Sequence, residues 1–284
     1  MLRSLRNHNQ ADDLQVYIIH EAIDGADKAL FVQYISEFLP SASLIQVNSS
    51  LLNEFPVFGH ISIATYFRLL IPSVLPPILK RALFLDSDIV IQDSLNDLWH
   101  TPMEGMPVAA VSDRNLEMQR KRLGMAVDAP YFNAGVLLID LEQWRHENIL
   151  GKGLDFARDN ADKLDNWDQD VLNHLFEKRV RIVHQRWNAM AHLWGLDPAW
   201  LQAQGSLTME EQEAHDNPAI VHFAGGGIAK PWNYRCPHPR KDDYRQILAN
   251  TPWAGVGMDE TPSRQPSNPI RRAAQKAVRL LNKA

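Results

Sequence analysis

Short apolar runs alternate with stretches of helical periodicity through the first two thirds of the chain. LQVYIIH (14–20) predicts a buried strand, residues 26–39 an amphipathic helix and SLIQVN (43–48) a second strand. A helical run over 61–70 ends before Pro72, and a Pro-rich connection leads into RALFLDSDIVI (81–91). That run is too apolar for a sheet edge and has the composition of a parallel strand covered on both faces. Strands over 107–112, 134–140 and 180–185 and helices near 141–150 and 168–178 continue the rhythm, which is that of an α/β fold. From Trp187 to Pro252 Trp, Pro and Gly become frequent and the periodicity fades, predicting a loop-rich part that closes over the sheet. Residues 1–252 then form the body, 253–268 a linker and 269–284 a terminal helix.

The 284 residues, 45% apolar and 22% charged, suffice for one large domain or two small ones. No apolar run approaches the roughly 20 residues that cross a bilayer, and the single Cys236 excludes an internal disulfide. The opening MLRSLRNHNQADD has basic residues but no apolar core behind them, so a secretory signal is not expected and a cytoplasmic protein is.

The net charge of −5 argues against a nucleic-acid coat, but it is unevenly spread. From Pro262 onward there are six basic residues and no acidic one; removing those six charges from −5 leaves −11 on residues 1–261. In the tail, Ile270, Ala274, Ala277 and Leu281 share one helical face, and Arg272, Lys276, Arg279 and Lys283 repeat the spacing two positions later. A basic amphipathic helix of this kind suits an anionic membrane surface; the other reading is a terminal helix packed on the body.

Candidate chemistry gathers at the ends of apolar runs. Asp86 and Asp88 flank Ser87, and two carboxylates at that spacing after a strand suit a hard divalent cation holding a diphosphate; helix capping or a surface loop is the alternative. His222 ends AIVHF and precedes Gly225, Gly226, Gly227 and Lys230. Glycines admit phosphate oxygens to the backbone, lysine supplies a countercharge, and imidazole ligates transition metals, although a strand-end histidine is often only structural. There is neither a P-loop nor a dinucleotide fingerprint, and no G-x-S-x-G elbow.

Three segments in order resemble glycosyltransferase family 8, the retaining sugar-nucleotide transferases of the GT-A fold. HISIATYFRLLIPSVLP with KRALFLDSDIVIQDSLNDLW (60–99) is similar to its arginine helix and D-x-D strand. YFNAGVLLIDLEQW (131–144) with NWDQDVLN (166–173) is a second match, and IVHFAGGGIAKPW (220–232) resembles its H-x-x-G and K-P-W, with about two extra residues before Lys230. The resemblance runs from about Asp13 to Tyr234. It implies a mixed sheet flanked by helices, with Asp86, Asp88 and His222 holding Mn²⁺, or Mg²⁺ in its place. It further implies donor contacts from Arg68, Ser87, Asp113, Asn133, Ala134, Asp168 and Gln169, with Gly225 and Lys230 closing on the diphosphate and Gln169 beneath the anomeric carbon. Such proteins open on a strand and a loop like I-V-F-A-A-D-D-N-Y that hold the nucleobase; no such segment precedes LQVYIIH here.

The activity implied is transfer of galactose or glucose from UDP-galactose or UDP-glucose to a glycan or glycolipid acceptor, such as a lipopolysaccharide core, at the cytoplasmic face of the inner membrane. Two other readings stand beside it. One is a non-catalytic transferase-like partner. The other is a haloacid dehalogenase-type phosphatase, since LFLDSDIV also fits D-x-D-x-V, for which Asp242 and Asp243 offer the only later Asp-Asp pair.

Overall fold

The computed structural model describes residues 1–10, 14–23, 25–48, 52, 63–113, 117–196 and 206–258. The chain opens with α1 (Leu2–His8), β1 (Tyr17–His20), α2 (Gly25–Phe38) and β2 (Ser43–Gln46). The middle third runs α3 (Phe67–Val74), β3 (Arg81–Leu85), β4 (Ile89–Ile91), α4 (Asn96–Trp99), β5 (Val108–Ser112), α5 (Glu117–Leu123) and β6 (Phe132–Asp140). The last part comprises α6 (Leu141–His146), α7 (Ile149–Asp159), α8 (Trp167–Leu175), β7 (Val180–Val183), α9 (Met209–Asp216), β8 (Ile220–His222) and α10 (Lys241–Leu248).

A four-stranded mixed sheet, order β3-β6-β5-β7, forms the centre; β3 and β5 flank β6 antiparallel and β7 joins β5 in parallel. β1 and β2 pair in parallel, and β4 pairs antiparallel with β8. β6 explains the order. Its residues Phe132–Ile139 are all buried, because both faces are covered, and each fully buried Val, Leu or Ile contributes roughly 1.5–3 kcal/mol. The larger core joins β5 and β6 to α3, α6, α7 and α8, and a second core seats α1 against β4 and β8.

Four expectations change. The run 81–91 is two strands in different sheets, because Asp86–Asp88 must keep their carboxylates polar partners and therefore turn out of the strand. β3 is antiparallel and ends its sheet among the described residues; its apolar side chains are covered instead by the cores on either face, including Phe84 under the Arg68 guanidinium. The helix expected to stop before Pro72 continues to Val74. Past it, Arg145 of α6 donates to the carbonyls of Pro72, Leu75, Pro76, Pro77 and Leu79, so one guanidinium satisfies the carbonyls of the Pro-rich exit. Finally, the part from Trp187 to Pro252 contains α9, β8 and α10, and α9 starts with a reciprocal cap between Thr208 and Glu211.

Trp253, at the start of the expected linker, is seated against Phe31 and Tyr34 of α2. The basic segment 269–284 lies outside the described residues. No helix among the described residues is long and apolar enough to cross a membrane. A cavity of about 620 Å³ opens beside the ends of β1 and β2, lined by Glu21, Ala22, Gln46, Val47 and Asn48.

Candidate active site

The turn between β3 and β4 presents Asp86 and Asp88 to the end of β8, where His222 waits. His222 Nε2 is 3.4 Å from Asp88 Oδ1 and 3.9 Å from Asp86 Oδ2, and donor atoms of the three lie within 4.8 Å of one another. Two carboxylates and an imidazole, with no thiolate, form a donor set that Mn²⁺ or Mg²⁺ fits. The backbone of β6 comes close enough to shape this cluster: a Cβ on Gly135 would overlap His222 Cε1 and lie 2.9 Å from both His222 Nδ1 and Asp86 Oδ2.

Charge is balanced by two cations from opposite sides. Lys230 Nζ donates to Asp88 Oδ2 and, at 3.1 Å, to the Phe223 carbonyl. Burial alone would push the Asp88 carboxyl up, but His222 and Lys230 outweigh it and hold it below the ordinary carboxylate range. Lys230 is therefore within reach of the cluster. In the loop before it, Gly225 and Gly227 take φ of +99° and +60°, backbone that L side chains rarely adopt.

On the other side, buried Arg68 of α3 bridges two carboxylates: Nη2 is 3.0 Å from Asp86 Oδ1 and Nε is 2.9 Å from Asp168 Oδ2. Its Nη1 donates to the Ala134 carbonyl, and Thr65 donates to Asp168. Burial pushes the Asp168 carboxyl up to about 6 against the pull of Arg68, and burial raises Asp86 likewise.

Gln169 occupies the centre of the floor. Its Oε1 accepts from Asn133 Nδ2 and from the Ala134 N–H, each at 3.0 Å, and its Nε2 donates to Asp113 Oδ2 at 3.2 Å. The local fold holds it there. Trp167 takes φ of +48° at the start of α8, and Asp170, fully buried, accepts from Tyr131 Oη, Arg122 and the N–H groups of Asp165 and Asn166. Asn173 clamps α8 to β6 by exchanging hydrogen bonds with the Phe132 backbone at 2.7 and 2.8 Å.

Arg68, Asp86, Asp88, Asp113, Asn133, Ala134, Asp168, Gln169, His222 and Lys230 are thus linked through contacts at one end of the sheet. Ser87 is exposed at the turn between the two aspartates, and Gly225 lies on the loop that delivers Lys230. Sequence reading missed Gly135, Thr65, Tyr131, Asp170 and Asn188. The Asn188 amide donates to Asn133 Oδ1 and pairs with His222 Nδ1, each at 2.8 Å. Asp242 and Asp243, by contrast, sit in the first turn of α10, paired with Arg245 and Arg240, which removes the acidic pair a phosphatase reading requires.

A mixed sheet flanked by helices, with a D-x-D turn, a strand-end histidine and a polar floor, defines a glycosyltransferase of the GT-A fold. The chain belongs to glycosyl transferase family 8, whose family model matches residues 1–236. It is 30% identical to General stress protein A of Bacillus subtilis over 89% of this chain and 88% of that one. With the lipopolysaccharide 1,3-galactosyltransferase of Salmonella typhimurium it shares 26% identity over 88% and 73% of the two chains. The crystal structure of the galactosyltransferase LgtC in complex with donor and acceptor sugar analogs superimposes with a TM-score of 0.75 at 26% identity, covering 92% of this chain and 91% of that one.

Proposed function

We propose that this glycosyltransferase moves galactose or glucose from a UDP-sugar to a glycan acceptor of the lipopolysaccharide-core type, with retention of anomeric configuration and dependence on Mn²⁺. The observation that carries the reading is the joining of the Asp86/Asp88/His222 cluster to the Gln169 floor through Arg68, which touches both Asp86 and Asp168. Relatives named as lipopolysaccharide 1,3-galactosyl- and 1,2-glucosyltransferases support the choice of sugar and acceptor.

Asp86, Asp88 and His222 would hold the cation, with Mg²⁺ as the other candidate. Bound there, it supplies positive charge to a leaving diphosphate. Lys230 adds a compact countercharge from the loop side and moves from Asp88 toward phosphate oxygens. Arg68 holds Asp86 and Asp168 in place and pulls both carboxyls toward the ionised form against the opposing effect of burial. Asp113, Asn133 and the Ala134 segment frame the sugar around Gln169. A carboxamide is a poor nucleophile, so Gln169 orients the sugar, and the acceptor hydroxyl attacks the face from which the diphosphate departs, giving it the proton.

The test is turnover of UDP-galactose and UDP-glucose with Mn²⁺ and a core oligosaccharide, the product's anomeric linkage being read by NMR. One of the two donors gives an α-linked product. Inverted linkage, or no turnover with either sugar in the presence of Mn²⁺ or Mg²⁺, contradicts the proposal. The tail 269–284 extends it to place: its cationic face would hold the protein at the cytoplasmic face of an anionic membrane. Deletion of 262–284 then weakens sedimentation with anionic vesicles and spares donor hydrolysis; unchanged sedimentation refutes the tail's role.

A further inference from the structure

The hydrogen-bonded chain that ends at His222 has a polarity fixed by two backbone groups. Amide side chains and imidazoles do not declare which atom donates, but a backbone N–H can only donate. The Gly135 N–H points at one arm of Asn133 at 2.9 Å, and the Ala134 N–H points at one arm of Gln169 at 3.0 Å, so both arms are oxygens. The Asn188 atom 2.8 Å from that Asn133 oxygen must then be its nitrogen, Nδ2. Its other arm, 2.8 Å from His222 Nδ1, is therefore Oδ1. An amide oxygen only accepts, so His222 Nδ1 carries the hydrogen. In the neutral ring the lone pair then sits on Nε2, and Nε2 is the atom that faces Asp86 and Asp88.

We propose that Asn188 is a positioning residue: through Oδ1, which accepts from His222 Nδ1, it fixes the tautomer and rotation of His222 so that Nε2 is presented to a divalent cation, and through Nδ2 it ties that ligand to Asn133 and Gln169. The inference rests on the metal reading above. Asn188 is fully buried, so no bulk water stands ready to replace its oxygen. Its backbone is also rigidly placed. The neighbouring Ala189 bridges Val221 in parallel, donating to the Ile220 carbonyl at 2.8 Å and accepting from the His222 N–H at 2.9 Å. The same short stretch of β8 thus carries the histidine and anchors the residue that orients it.

The test is Mn²⁺ affinity of the full chain, read from the electron paramagnetic resonance signal of free Mn²⁺, without nucleotide or turnover. Loss of an outer partner of a ligating histidine weakens metal binding about 10- to 100-fold, and N188A is expected in that range. H222A is at least as weak, and the double variant N188A/H222A is no weaker than H222A alone. N188D keeps the accepting oxygen and loses the donor to Asn133; it restores Mn²⁺ affinity to within about threefold of the parent or better, while kcat stays low because Asn133 and Gln169 have lost their tie. Equal weakening by N188A with and without His222 would show that Asn188 acts elsewhere and overturns the proposal. So does unchanged affinity in N188A when H222A is weak, which leaves the metal reading standing. Unchanged affinity in H222A removes the metal reading itself, and this proposal with it.

Discussion

Arg68 and Asp168 meet at 2.9 Å with side chains only 8% and 4% exposed, while the same guanidinium holds Asp86 at 3.0 Å. A buried pair with so little water must stand or fall together, since removing one partner leaves an uncompensated charge. Arg68→Met is expected to destabilise the protein by about 3–5 kcal/mol in urea denaturation. Arg68→Lys recovers little of this, because a single ammonium cannot span Asp86, Asp168 and the Ala134 carbonyl at once. A loss below about 1 kcal/mol in Arg68→Met, the range of exposed ion pairs, would show that the bridge is dispensable.

Asp168 gives the site a pH dependence of definite sign. Its carboxyl is raised from 3.8 to about 6 in the folded protein, chiefly by burial. Between about pH 4 and 6 the folded state keeps a proton that the unfolded chain has released. Its contribution to stability is therefore full below pH 4 and falls as pH rises through 6, by at most about 1.4 kcal/mol per pH unit. Asp168→Asn removes this component from the stability profile. Transfer activity runs the other way, rising as Asp168 ionises to pair with Arg68. A parent and an Asp168→Asn variant with identical stability profiles from pH 4 to 7 would contradict the assignment.

Gly135 is fixed by contact with the site. In Gly135→Ala the new methyl collides with the His222 ring and crowds Asp86, and neither neighbour is a loose surface side chain. Overpacking of this kind costs about 1–3 kcal/mol, so the melting temperature falls and Mn²⁺ binding weakens together. Normal Mn²⁺ affinity in a folded Gly135→Ala protein would mean that the ring has room to move.

Lys230 is predicted to bind diphosphate. A hydrogen bond to a charged group contributes about 1.5–3 kcal/mol, so Lys230→Met weakens UDP roughly ten- to a hundredfold in calorimetry with Mn²⁺ present. An unchanged dissociation constant would leave Lys230 as a partner of Asp88 alone.

Much of this site could be read from the sequence because its charged members stand at the ends of apolar runs, where a strand must release polar groups. Asp86, Asp88 and His222 are of this kind, as is Asp168 at the start of a helix. Gly135 carried a signal that went unused: a lone glycine inside N-A-G-V-L-L-I-D marks a strand where something approaches the backbone. Thr208 and Glu211 likewise spell a capping box inside a region that reads as loops. Asn188 carried no such signal. It belongs to RWNAM, without periodicity, and its importance arises from a contact with a residue 34 positions away. The division of 81–91 between two sheets was hidden for a related reason, since strand partners are set by tertiary contacts with β6 and β8 and not by the run itself.

Asp86, Asp88 and His222 are predicted to bind the donor diphosphate through a divalent cation. Calorimetric titration of UDP into the protein, with and without Mn²⁺ and repeated on Asp88→Asn, tests it most directly. The expected result is binding that requires Mn²⁺ and is lost in Asp88→Asn while the fold, read by circular dichroism, persists. Equal UDP affinity with and without Mn²⁺, or undiminished Mn²⁺-dependent binding in Asp88→Asn, would contradict it.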